Sequence, residues 1–154
     1  MQLSKNFTLA EMTKSDTAKS RGIDNTPTDE THLANLKQLT EKVLQPIRDH
    51  FGPTTINSGY RSPVLNEAVR GSKTSQHCHG QAADVEVRGV ANYDLAKWIE
   101  DNLDYDQLIL EFYTPGIPDS GWVHVSYTGK DHRKQSLTAT KVNGKTQYSV
   151  GLQK

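Results

Sequence analysis

An aspartate stands inside an apolar run. Residues Ala82-Ala83-Asp84-Val85-Glu86-Val87 alternate well enough for a β-strand, and Asp84 falls within it. An ionised carboxylate is costly to remove from water unless it is paired or bound to a metal. Any fold that buries this strand must therefore bring suitable partners to Asp84. The rest of the chain offers a modest core: 34% of its 154 residues are hydrophobic, and the single Cys78 excludes an intrachain disulfide.

The remaining pattern predicts one α+β domain, a central antiparallel sheet with helices packed on it. Thr8-Leu9-Ala10-Glu11 has the form of a capping box and predicts a short helix after Phe7. Residues 15–27 are polar and predict a surface loop. Thr28 is the expected cap of the longest helix, whose Leu33, Leu36, Leu39, Val43, Leu44 and Ile47 share one face, with Gly52-Pro53 at its end. Strands are expected at 54–58, 82–87, 107–113 and 122–127, short helices at 63–70 and 92–102, and a polar loop at 71–80. Asn143-Gly144 predicts a terminal hairpin with strands near 134–141 and 146–151. The expected organisation is a single domain over 1–154: a helical part over about 1–52, a core over about 54–127 and a hairpin over about 134–151.

Two histidines are placed to meet Asp84. His77 precedes it in Ser75-Gln76-His77-Cys78-His79-Gly80, where Gly80 allows a sharp turn back toward the strand. His124 lies in Trp122-Val123-His124-Val125-Ser126-Tyr127, on the face opposite Val123 and Val125. Taken singly, a loop histidine or a strand aspartate reads as structural. Together, two imidazoles and a carboxylate suit Zn²⁺, one ion, with a fourth coordination position open as in catalytic rather than structural sites.

The pattern Ser75-x-His77-x-x-Gly80-x-Ala82-x-Asp84, with Trp122-Val123-His124 and the upstream Ser58-Gly59-Tyr60-Arg61-Ser62-Pro63, resembles the M15 family of zinc D-Ala-D-Ala peptidases. That family includes cell-wall carboxypeptidases, VanX-type dipeptidases and phage endolysins that cut L-Ala-D-Glu links; hedgehog N-terminal domains share the zinc site. The similarity covers roughly residues 30 to 127. It implies that His77, Asp84 and His124 are the metal ligands and that Arg61 stabilises the oxyanion at the scissile carbonyl. It gives Ser75 a role in binding substrate or orienting its loop. Trp122 and Tyr60 are further candidates for lining the substrate cleft, Trp122 with the alternative of bracing His124.

Several relatives carry an acidic residue three positions before the last zinc histidine, where this chain has Gly121. Peptide hydrolysis near neutral pH still calls for a water-activating carboxylate. Glu111 is the expected general base, ending an apolar strand that folds back beside Trp122–His124; Asp119 is the runner-up. His79 is expected at the rim, and His32, His50 and His132 on the surface.

The resemblance implies a metallopeptidase acting on peptidoglycan stem peptides, with L-Ala-D-Glu endopeptidase and D-Ala-D-Ala carboxypeptidase both open. The alternative is a hedgehog-like zinc module without efficient catalysis, which the glycine at 121 favours. Eighteen basic residues balance eighteen acidic ones, so neither nucleic acid nor a membrane is an expected partner, and a monomer is expected. The polar N-terminus predicts synthesis in the cytosol without a signal peptide, and action on the cell wall after release as for phage or prophage enzymes.

Overall fold

The computed structural model describes residues 1–154. A short hairpin of β1 (Gln2–Ser4) and β2 (Phe7–Thr8) opens the chain and leads into α1 (Leu9–Thr13), α2 (Asp16–Arg21), α3 (Glu30–Leu39) and α4 (Gln45–Phe51). Then come β3 (Thr54–Ser58), α5 (Pro63–Ala68), a 3-10 turn (Gln76–His79), β4 (Ala82–Val87) and α6 (Asn92–Asn102). Four strands finish the chain: β5 (Gln107–Glu111), β6 (Trp122–Ser126), β7 (Gln135–Val142) and β8 (Lys145–Val150). No helix is long and apolar enough to cross a membrane.

Local chemistry explains the helix ends. Thr8 and Glu11 close the capping box reciprocally at 3.3 Å. Asp29, not Thr28, caps α3, because its carboxylate accepts from the amides of Thr31 and His32. Within the expected loop at 15–27, Ser15 accepts from the Ala18 amide and Gly22 closes the C-terminus in a left-handed conformation, so α2 forms on its caps rather than on an apolar stripe. Between α3 and α4 the backbone widens into a π-turn over Thr40–Leu44. Pro46 lies just beyond it; lacking an N–H and crowding the carbonyl four residues back, it is accommodated where the helical bonding is already displaced.

The six-stranded sheet runs β3-β4-β6-β5-β7-β8. All pairs are antiparallel except β5–β7, which is parallel and corrects the expectation of a wholly antiparallel sheet. The reason lies in the loop after β6. It returns the chain to the start of β5, where Asp106 takes the Arg133 guanidinium at 2.7 Å and the Arg133 amide at 3.0 Å. Strand β7 therefore starts beside Gln107 and travels with β5. The loop is also tied by His132, whose Nδ1 lies 2.9 Å from Asp104 and whose Nε2 accepts from the amides of Thr128 and Gly129. Its side chain is only 6% exposed, so the expected surface placement of His132 is wrong.

One face of the sheet carries Ala83, Val85, Leu108, Leu110, Val123 and Val125 into a cluster with Leu36, Leu39, Leu95 and Ile99. Strand alternation commits the neighbouring residues Asp84, Ile109, Glu111, Trp122 and His124 to the other face.

Asp106 joins three segments, since Gln76 also donates to it at 3.0 Å. Hydrogen bonds from the Arg133 side chain hold its carboxyl down to about 2, against an ordinary value of 3.8. Asp106→Asn should cost about 2 kcal/mol of stability at neutral pH. In urea titrations the advantage of the native residue should be complete above pH 3.8 and vanish as pH falls through about 2, because the folded state holds the ionised form more strongly than the unfolded state does.

Candidate metal centre

Three segments converge on Asp84. It pairs directly with His124 across β4 and β6, and Ser58 of β3 is its partner on the other side. His77 arrives from the 3-10 turn that begins at Ser75, whose hydroxyl accepts from the His77 amide at 3.2 Å. Gly80 ends that turn at φ 72, where a Cβ would lie 2.5 Å from the His32 carbonyl oxygen. Only glycine can both turn the chain and pass α3 this closely.

Asp84 Oδ1 sits 3.4 Å from His77 Nε2 and 3.0 Å from His124 Nδ1. One candidate ligand atom from each of the three residues lies within 4.8 Å of the others. Tetrahedral coordination by nitrogen and oxygen at about 2.0–2.1 Å separates ligand atoms by about 3.3 Å, so this spacing fits a zinc ion. The outer contacts fit as well. His77 Nδ1 donates to the Gly59 carbonyl at 2.7 Å, which leaves the Nε2 lone pair directed at Asp84.

Electrostatics keep the ligands in the required states. Burial lowers the pKa of His77, with Asp84 only partly opposing it, so the imidazole is neutral. Burial resists ionisation of Asp84, yet the two histidines outweigh this and hold its carboxyl well below the usual range. Its other oxygen receives Arg61 Nη2 at 3.4 Å. That guanidinium is fixed by Ser58 Oγ at 3.0 Å and Asn66 Oδ1 at 3.3 Å. Buried Asn66 was not foreseen from the sequence; a polar residue on the inner side of a short helix was the available signal.

The site opens into a cleft of about 950 Å³ that includes Arg61, Ser75, Glu111 and Trp122. Glu111 pairs with Trp122 across β5 and β6, and the indole Nε1 donates to Glu111 Oε2 at 2.7 Å. Trp122 thus lines the cleft and orients Glu111. Burial raises the Glu111 pKa, the Asp84 charge adds to it, and His124 and the indole hydrogen bond partly offset both. Gly121 has φ 64, and a Cβ there would lie 1.8 Å from the Glu111 carbonyl oxygen. Asn92 pins the same turn by donating to the carbonyls of Ser120 and Gly121. An acidic side chain at 121 has no room, whereas the Glu111 carboxylate already faces the cleft.

Other candidates fall elsewhere. Tyr60 is 6% exposed, packs in the hydrophobic core and does not line the cleft, which corrects its expected substrate-binding role. Exposed Asp119 borders a separate depression beside Glu86 and Arg88, so the runner-up base is misplaced for this site. His79 turns away from the cleft toward His32, 5.5 Å between ring centres, and Cys78 does not line it either.

An α+β domain with a His-Asp-His centre at the floor of an open cleft defines the class: a candidate single-metal hydrolase. The family model described as Peptidase M15 matches residues 5–126, well over half the chain, and the protein belongs to that family. It is also 34% identical over 82 residues to a zinc D-Ala-D-Ala carboxypeptidase from Streptomyces albus G. That alignment spans 52% of this chain and 31% of the carboxypeptidase.

Alanine at 77, 84 or 124 should each lower zinc stoichiometry in metal analysis from one toward zero, whereas Glu111→Gln should keep it near one. Gly121→Ala should destabilise the fold by about 3 kcal/mol in denaturant unfolding, through the forced left-handed backbone and the clash with residue 111.

Proposed function

We propose that this protein is a zinc-dependent peptidase that hydrolyses peptide bonds in the stem peptides of peptidoglycan. The observation that carries the reading is a Glu111 carboxylate held at 2.7 Å by Trp122 in the same cleft as the His77-Asp84-His124 group. A structural metal centre requires no such carboxylate, and this disfavours the hedgehog-like module without catalysis. Family membership and the resemblance to a zinc D-Ala-D-Ala carboxypeptidase support the substrate class. The scissile bond is L-Ala-D-Glu, as in endolysins, or D-Ala-D-Ala, and muropeptide masses after digestion distinguish the two.

The residues divide the work. His77, Asp84 and His124 would hold the ion. Zinc, when bound, supplies Lewis acidity that lowers the pKa of water and polarises a carbonyl. Glu111 accepts the proton of the attacking water at a carboxylate oxygen and can pass it to the leaving amine. Burial and the Asp84 charge raise its pKa, which makes it a stronger proton acceptor than an ordinary carboxylate. Arg61, fixed by Ser58 and Asn66, presents a cation to the negative charge that develops on the carbonyl oxygen. Ser75 acts on the histidine turn through the His77 amide.

Glu111→Gln should lower kcat on purified peptidoglycan by about 10²- to 10⁴-fold while zinc stays bound. Full activity in that variant would remove Glu111 from the mechanism. Trp122→Phe deletes a hydrogen bond that favours the Glu111 carboxylate. The acid limb of kcat/KM should therefore move to higher pH, the direction expected when the base becomes harder to ionise; a pH–rate profile reads it.

A further inference from the structure

The cleft is completed by chain that lies beyond the family match. That match ends at residue 126, yet Lys141, Thr146 and Tyr148 of the terminal hairpin line the cleft with the metal-site residues. Register explains their arrival. Glu111 pairs with Ala139, and Ala139 pairs with Tyr148; two residues further on, Lys141 pairs with Thr146. Positions 139 and 141 share a face, so Lys141 stands about 6–7 Å beyond the Glu111 row along β7.

One aromatic contact orients the exposed ammonium group there. Phe112 adopts φ 57, unusual for a bulky residue, while its amide still bonds to the Ala139 carbonyl at 2.9 Å. This backbone turn lets the consecutive residues Glu111 and Phe112 both line the cleft. The Phe112 ring meets Trp122 at 5.4 Å, and Lys141 Nζ lies 5.6 Å from the Phe112 ring centre. A continuous row thus joins Glu111, Trp122, Phe112 and Lys141.

The cations around this row differ in whether they are neutralised. Arg61 is paired with Asp84, and Arg133 with Asp106. Arg70 and Lys141 form no salt bridge. Both are exposed, but Lys141 lies over the Phe112 ring, next to Trp122 and Glu111, whereas Arg70 sits in the turn after α5. An unpaired ammonium kept in place beside a reaction centre attracts an anionic group on whatever peptide enters.

We infer that Lys141 is a specificity-determining residue that binds a free carboxylate of the substrate near its scissile bond. The inference rests on the peptidase reading and deepens it: the hairpin selects peptides by a charge that the metal ligands do not read. A carboxylate one residue from the cleaved bond lies about 3.3–3.6 Å along an extended peptide, and the flexible four-carbon stem of Lys141 can span the rest of the offset of about 6–7 Å.

Two probe pairs test it, each in free-acid and amidated form: N-acetylmuramoyl-L-Ala-D-Glu with the α-carboxyl free or as the amide, and N-acetyl-L-Lys-D-Ala-D-Ala with the C-terminal carboxyl free or as the amide. The acid-to-amide ratio is measured within each variant, so a general loss of folded protein cancels. Both kcat/KM and equilibrium binding to the zinc-loaded protein are recorded. Wild type should prefer the acid of at least one pair. Lys141→Gln should reduce that preference about tenfold, and Lys141→Arg should retain most of it. An unchanged ratio in Lys141→Gln, no acid preference in wild type, or no binding of any probe overturns the inference. Acid-selective binding that depends on Lys141 without cleavage of either pair would sustain it while contradicting the peptidase reading; cleavage with an unchanged ratio would do the reverse.

Discussion

Asp84 is a carboxylate with 7% exposure in a strand flanked on both sides by other strands, and its charge must be answered at close range. The His124 imidazole and the Arg61 guanidinium answer it directly, while His77 turns a ring lone pair toward the same point, an arrangement suited to a shared cation; each group is carried by a different part of the chain. His124 comes with the neighbouring strand, His77 with a 3-10 turn set by Ser75 and Gly80, and Arg61 with the turn between β3 and α5. Displacing His124 or Arg61 removes one of the close partners of a buried ion, an error worth about 3–5 kcal/mol. The requirement to satisfy one residue therefore couples the register of the sheet to the position of the loops.

The same register creates the cleft. Because alternate residues leave opposite faces, the apolar residues that seal β5 and β6 onto the helices force Glu111, Trp122 and His124 outward as a group. The parallel entry of β7 then extends this face with residues from the hairpin. Gly121 lets the connecting turn fold against the Glu111 backbone, and the place where several relatives carry an acid is closed. The carboxylate that faces the ion-binding group here is Glu111, oriented by an indole instead of by a loop.

Much of this was legible in the residues themselves. The capping box at Thr8, the strand at 82–87, the helix at 92–102 and the Asn143-Gly144 hairpin announce themselves through short-range chemistry. So does the placement of Val123 and Val125 opposite His124, a consequence of alternation alone. What escaped depends on distant partners. The parallel β5–β7 pair follows from the Asp106–Arg133 clamp across 27 positions, which no local pattern encodes. His132 looked like a surface residue until the loop wrapped around it, and Tyr60 sits beside a cleft-facing arginine but points into the core. Phe112 and Lys141 gave no warning because a positive φ and a strand pairing bring them to the cleft.

The account stands on one ion shared by three side chains. A crystal of zinc-loaded protein, with diffraction recorded on either side of the zinc absorption edge, tests this directly. It should show a single strong anomalous peak about 2.0–2.2 Å from one atom each of His77, Asp84 and His124, with a fourth position open to the cleft. A peak absent from that point, or an ion held by other residues while these three stay bonded only to one another, would contradict it.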